Sequence, residues 1–466
     1  MLIIEDLIRA VPHFDKFVAW RDMEAAVLRL AGRGAAEVEV LGRSEGGRPI
    51  HHVTMGRGRY KALFVGYPHP NEPIGGLTVL SLLDLLSQSP SPLGGLDVEW
   101  HVVPSIDPDG MVLNEAWTQK PFSIGSYVRG CFRQEPRDQV ERSFPIEYKK
   151  LLFDAPIPEV RSLMGLMDRL RPDFYYSLHN ARLGGVVAYV SKPVDEAVCA
   201  GLTALWSRLG IPVAAPGGGS ALESGFEAYA PGVREIFAVP KYYDYLESRY
   251  PNPEDLLHDA GACSWDYLRE ISPGSLSFIM ELPYLRHPMS DSRRPIGRNL
   301  REEKLVIDAK NKALVSRLLD LWRGVEAEIE PSGPLYRKVK HSILDHEDEI
   351  HLGLPSWETR TEFIVNEPRF NREMVEADLF GLMQTRMYAL ANSHELVRVL
   401  ESTPRTPAIE AALDGARSIY DVAIAEIDAQ VDNDRFEMID LDALVRAQLV
   451  GGLIALESDL RAKGGG

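Results

Sequence analysis

Cysteine is scarce. The 466 residues hold three, Cys131, Cys199 and Cys263, which are far apart, odd in number and free of any CxxC spacing, so a disulfide scaffold and a thiolate zinc knuckle are both excluded. Positive charge is also short. Lys and Arg total 51 against 68 Asp and Glu, a formal net charge of −17, and a field of that sign repels phosphate backbones and anionic lipid surfaces. No nucleic-acid partner and no membrane partner is expected. Long apolar runs are missing too: the stretches Leu77 to Leu86 and Leu449 to Leu456 fall short of the ~18 to 20 residues that a bilayer requires. The opening Met-Leu-Ile-Ile-Glu-Asp lacks the basic start and apolar stretch of a secretory signal, and with so few cysteines the expected compartment is cytoplasmic. What remains is an ordinary globular composition, 45% hydrophobic and 26% charged. Its length suits about three domains of ~150 residues, or one large catalytic domain with an addition.

Glu37 to Leu41 and Pro49 to Met55 read as a hairpin around Gly42-Arg43-Ser44-Glu45-Gly46-Gly47, whose glycines permit a tight reversal. A buried strand over Lys61 to Tyr67 leads into a helix at Ile74 to Leu86, marked by its apolar spacing. Val98 to Ile106 is a further strand, with Pro104 confined to its exit. Helix Val160 to Leu170, strand Phe174 to Leu178 and the β-prone run Leu276 to Met280 continue the alternation. The expected fold class is therefore α/β, a mixed sheet with helices on both faces. A Gly-rich stretch from Ala214 to Glu223 serves either as a mobile flap or as a plain connection. Strand signals stop near Glu330 to Pro334, and from Arg372 onward Ala, Leu, Glu and Arg recur at helical spacing, for example over Met387 to Leu400 and Ile409 to Ala429. The expected division is a catalytic domain over 1–330 and a mostly α-helical C-terminal region over 331–466, used for packing, as a lid, or to form a homo-oligomer.

The strongest local signal is Gly66-Tyr67-Pro68-His69-Pro70-Asn71-Glu72, where a histidine and a carboxylate two residues apart follow a strand directly. An open zinc site draws three protein ligands from imidazoles and carboxylates and leaves a position for water. His69 and Glu72 supply two. A hydrogen-bonded surface pair is the bland alternative. His179 closes the strand Phe174-Tyr175-Tyr176-Ser177-Leu178, and sites in open α/β sheets collect at the carboxyl ends of strands. Two more strand ends, at Ile106-Asp107-Pro108-Asp109-Gly110 and at Met280-Glu281-Leu282, point to the same rim. Glu281 leaves an apolar run, where desolvation raises a carboxyl pKa and suits it to general-base work; a structural glutamate paired with Arg286 is the alternative.

These phrases resemble the carboxypeptidase A-like zinc metallopeptidases over roughly residues 40 to 325. The resemblance implies that His69, Glu72 and His179 hold one Zn2+, and that Glu281, in Ser277-Phe278-Ile279-Met280-Glu281-Leu282, is the catalytic glutamate. The Asn-Pro-Asp-Gly turn of that family is echoed by Asp107-Pro108-Asp109-Gly110, and its Ser-x-Asp-Trp phrase by Ser264-Trp265-Asp266-Tyr267. Departures are equally informative. Where the family grips a terminal carboxylate with Asn and Arg in Asn-Arg-Asn-Phe-Pro, this chain reads Glu141-Arg142-Ser143-Phe144-Pro145. A carboxylate beside Arg142 partly neutralises it, which favours an altered substrate group. The phrase carrying the family's oxyanion arginine is replaced by Trp117-Thr118-Gln119-Lys120, leaving Arg129 or Arg133 to substitute. His258, with Tyr267, Tyr242 and Tyr243 nearby, corresponds to the substrate-capping tyrosine, and Trp265 to the floor of the side-chain pocket.

The resulting expectation is a zinc hydrolase that cleaves an amide bond, most simply the C-terminal residue of a peptide or peptide-like substrate. Asp173 or backbone carbonyls are the candidates for orienting the metal histidines. A deacylase or amidase acting on a small or modified amide-containing metabolite is the second reading. An inactive metal-binding interaction protein is the third.

Overall fold

The computed structural model describes residues 3–214, 226–249, 252–257, 261–344, 361, 364–366 and 368–464. Most of the Gly-rich stretch, and His258, lie outside the described residues. The described chain forms two compact units, one of 3–119, 136–286 and 438–464, the other of 120–135 and 287–437. Neither is a continuous stretch, so the units do not meet at a single cut near residue 330.

The first unit is built on a nine-stranded sheet: β1 (Glu37–Arg43), β2 (Pro49–Met55), β3 (Tyr60–Gly66), β4 (Val98–Val103), β5 (Phe174–Leu178), β6 (Val187–Val190), β7 (Ala228–Ala230), β8 (Val233–Glu235) and β9 (Leu276–Glu281). Their spatial order is β1-β2-β4-β3-β5-β9-β6-β8-β7. The four central strands β4, β3, β5 and β9 run parallel, and antiparallel partners flank them on both sides. The sheet is thus mixed, as its sequence predicts. β4 stops at Val103, one residue before Pro104, because a proline has no N–H to continue the ladder.

Alternation along each strand sends successive side chains to opposite faces, and both faces are apolar. Leu63, Val65, Val103, Tyr175 and Ile279 meet Val160, Leu163 and Met167 of helix Pro158–Leu170 together with Trp265 and Leu268 of helix Ser264–Ile271. The opposite face carries an aromatic layer in which Tyr176 lies 4.9 Å from Phe278 and 5.6 Å from Phe64, centroid to centroid. Fully burying each such ring stabilises the fold by roughly 1.5–3 kcal/mol. Helix Leu441–Ala462 rests on this layer, in contact with helices Ile74–Ser87 and Glu196–Arg208. Gly452 is what allows the approach: a Cβ there would stand 2.3 Å from the Tyr176 ring.

The second unit is helical. Helices Leu300–Arg323, Glu376–Ser393 and Pro407–Val431 pack on one another, and the shorter helices Ile124–Gly130, Gly333–Val339 and Glu395–Ser402 complete the bundle. The amphipathic run predicted over Met387 to Leu400 is divided in two at His394. A short ribbon pairs Pro295–Asn299 with Glu373–Val375.

Candidate metal centre

The site grows from the ends of two adjacent parallel strands, β3 and β5. Beyond Gly66 the chain turns at Tyr67, a buried aromatic held at φ 55°, a left-handed conformation that costs a bulky residue about 1–3 kcal/mol. The Glu72 N–H donates to the His69 carbonyl at 3.2 Å, which winds the segment into a single turn. Gly110, at the start of the helix after β4, makes room for this loop, since a Cβ there would stand 2.5 Å from Pro70.

At the end of β5, His179 and Asn180 meet that turn. His179 Nδ1 lies 3.0 Å from Glu72 Oε2, and the Asn180 N–H donates to the same oxygen at 3.2 Å. The Asn180 side chain accepts from the Ile74 N–H at 3.1 Å, so it satisfies a donor that a helix start would otherwise leave open. The His69 and His179 rings are 5.0 Å apart, edge to face. One ligand atom from each of His69, Glu72 and His179 falls within 4.8 Å of the other two, and all three residues are buried. Among the described residues this is the only group of three or more His, Cys, Asp or Glu side chains close enough to hold a metal ion. Two imidazoles and one carboxylate match the donor set of an open zinc site.

The electrostatics favour a cation. Burial disfavours a charged ring at His179, yet Glu72, Glu141 and Glu281 outweigh it and push the pKa up to about 10. A group of carboxylates that draws a proton so strongly attracts a divalent cation for the same reason. Glu281 ends β9 with its carboxylate 4.0 Å from His179 Nδ1 and its side chain 31% exposed. It is therefore both next to the three-donor group and partly open to solvent.

Glu141 is deeply buried, 2% exposed. One oxygen accepts from Ser177 Oγ at 2.7 Å and Ser264 Oγ at 2.8 Å, the other from the Ser264 N–H at 2.8 Å. Burial alone would raise its pKa, but His179 and the Ser264 hydrogen bonds hold it below the ordinary carboxylate range. Arg142, by contrast, is exposed, and its carbonyl accepts from the Gly261 N–H. Trp265 is buried 6.3 Å from His179, ring to ring, with its indole N–H donated to the Phe237 carbonyl. Tyr267 gives its hydroxyl proton to Asp168 at 2.9 Å. Asp107 caps the helix that follows it, accepting from the Gly110 N–H at 2.8 Å. Asp173 accepts from the Lys61 N–H at 3.0 Å. Arg129 and Arg133 belong to the second unit, where Arg129 pairs with Asp421 at 2.6 Å.

Three residues beside the His69, Glu72 and His179 group escaped the reading of the sequence. Ser177 lies 3.1 Å from His179 Nε2, and its signal was available, because positions two apart on a strand share a face. Asn180 directly follows His179 in the chain. Gln448, on helix Leu441–Ala462, donates to the His179 carbonyl at 2.7 Å and accepts from Thr78 Oγ1 at 2.7 Å. Nothing local marks a glutamine so distant in sequence.

No family model matches the chain. A curated relative, an uncharacterized protein of Zymomonas mobilis, is 24% identical over 156 residues, 33% of this chain and 36% of that protein. The match thus spans about a third of the relative. Solved structures with a similar arrangement include carboxypeptidase A from Helicoverpa armigera, with a TM-score of 0.37 and 14% identity over 61% of this chain and 71% of that one. A metallo-carboxypeptidase from Burkholderia cenocepacia gives a TM-score of 0.34 and 17% identity over 56% and 60%.

Proposed function

We propose that the chain is a zinc-dependent hydrolase that cleaves an amide bond at the C-terminal residue of a peptide or peptide-like substrate. His69, Glu72 and His179 would hold the ion. The observation that carries this reading is the pairing of a buried three-donor group, its ligand atoms within 4.8 Å of one another, with a second, partly exposed carboxylate 4.0 Å from His179 Nδ1. When bound, a zinc ion polarises the scissile carbonyl and brings the pKa of its water to about 7.

The chain's own residues supply the remainder. Glu281 takes a proton from the attacking water as the new C–O bond forms, then returns it to the amide nitrogen as the C–N bond breaks. Its partial exposure lets substrate reach it. Glu72 and the His179 imidazole keep fixed directions because the Asn180 N–H holds the Glu72 carboxylate and Gln448 braces the segment that carries His179. Glu281→Gln with intact metal content and lost turnover is the result expected. Near-full turnover in that variant would overturn the reading.

One observation favours a second reading, a deacylase or amidase of a small or modified metabolite. Glu141 is buried with both oxygens occupied while Arg142 is exposed, so the two do not form a joint grip for a free C-terminus. A panel of free and amidated peptides and N-acyl amino acids separates the readings. Preference for free C-terminal peptides supports the first, and preference for N-acyl amino acids the second.

A further inference from the structure

The buried carboxylate of Glu141 stands where a substrate-facing polar residue is expected, and the geometry around it has a single direction. His179 presents its two ring nitrogens to different neighbours. Nδ1 faces the ligand group, 3.0 Å from Glu72. Nε2 faces away from it, 3.1 Å from Ser177 Oγ and 3.8 Å from Glu141 Oε1. An imidazole that offers the lone pair of Nδ1 to a metal carries its proton on Nε2.

Ser177 has one proton to give. Ser177 Oγ donates it to Glu141 Oε1 at 2.7 Å, an oxygen that also accepts from Ser264 Oγ at 2.8 Å, so the serine oxygen is left to accept from His179 Nε2–H. The chain of donors therefore runs His179 Nε2–H to Ser177 Oγ–H to Glu141. Glu141 cannot swing out of this role, because the Ser264 N–H and hydroxyl hold it at 2.8 Å each.

We propose that Glu141 is a positioning residue, which acts through Ser177 to keep the His179 proton on Nε2 and thereby reserves Nδ1 for the metal. This rests on the metal-site reading above. It gives Glu141 a role toward the ligand histidine in place of one toward substrate. Outer-shell partners of this kind typically change metal affinity by about 10–100-fold.

The polarity makes an unusual prediction for substitutions. In Glu141→Gln the amide oxygen is drawn to the fixed Ser264 N–H, and the amide NH2 faces Ser177. The serine hydroxyl then accepts from the amide and turns its proton toward His179 Nε2, which forces the imidazole proton to Nδ1, the wrong nitrogen. Ser177→Ala merely removes the relay. Deleting the serine in the Glu141→Gln background removes the reversed relay as well, so the double variant should recover affinity.

The test is a zinc titration of wild type, Glu141→Gln, Ser177→Ala and the double variant, with circular dichroism to establish folding. Glu141→Gln is expected to bind zinc about 10–100-fold more weakly, Ser177→Ala less weakly, and the double variant like Ser177→Ala. Wild-type affinity in Glu141→Gln, or losses that add in the double variant, would overturn the proposal. Should Glu141→Gln fail to fold, 15N NMR of the zinc-loaded wild type decides it: a proton on His179 Nε2 is expected, and one on Nδ1 overturns the proposal. Wild type that binds no zinc would overturn the metal-site reading and this proposal together, whereas normal zinc binding in both wild type and Glu141→Gln overturns the proposal alone.

Discussion

Each unit buries a glutamate, and the two behave in opposite ways. In the first, Glu141 receives three hydrogen bonds from Ser177 and Ser264 and lies beside His179, and its pKa falls below the ordinary range despite complete burial. In the second, Glu395 opens helix Glu395–Ser402, and among the described residues no side chain donates to either oxygen. Burial pushes its pKa up to about 7, only partly countered by the Lys338 charge. Desolvation is common to both. Directed donors distinguish them, and fixed donors around an ionised group mark a site built for charge. Glu141 has such donors, whereas Glu395 is a buried carboxyl whose charged form is disfavoured.

The largest expected effect separates the units by chemistry. Glu281→Gln should lower turnover by about 10²–10⁴-fold with zinc content unchanged, whereas Glu395→Gln should leave turnover unchanged, as a substrate assay with parallel metal analysis would show. Next comes packing. Gly452→Val drives a side chain into the Tyr176 ring, 2.3 Å from the position of a Cβ, and should destabilise by about 1–3 kcal/mol in chemical denaturation.

The pH dependence comes third. Glu395 binds its proton more tightly when folded, with a pKa of about 7 against an ordinary value of 4.5, so its contribution to stability is greatest at or below the lower value and is lost as pH rises toward the higher one. The melting temperature of Glu395→Gln relative to wild type should therefore be higher at pH 8 than at pH 5. An equal difference at both pH values would erase the contrast with Glu141. The smallest effect is Gly381→Ala in helix Glu376–Ser393, where a Cβ meets nothing within 4 Å. That variant should stabilise by about 0.4–1 kcal/mol, the opposite sign to Gly452→Val.

Much of the sheet was legible because strand periodicity and loop chemistry are local. β3, β5 and β9 announce themselves as largely apolar runs bounded by polar or Gly/Pro punctuation, and His69, Glu72, His179 and Glu281 lie at or just beyond strand ends. Less legible were features created by long-range packing. Gln448 reaches the His179 carbonyl only because Gly451 and Gly452 let the last helix lie flat against Met280 and Tyr176. Glu141 reads in sequence as the neighbour of Arg142, yet the fold buries one and exposes the other. Likewise, the assignment of 120–135 to the helical unit depends on contacts of helix Ile124–Gly130 with helices Glu376–Ser393 and Pro407–Val431, which no local pattern encodes.

The most direct measurement is elemental analysis of natively purified protein, with His69→Ala and His179→Ala purified in parallel. One zinc per chain in the wild type, with little or none in either variant, is the expected outcome. Equal metal in all three proteins, or none in the folded wild type, would contradict a metal centre at these strand ends.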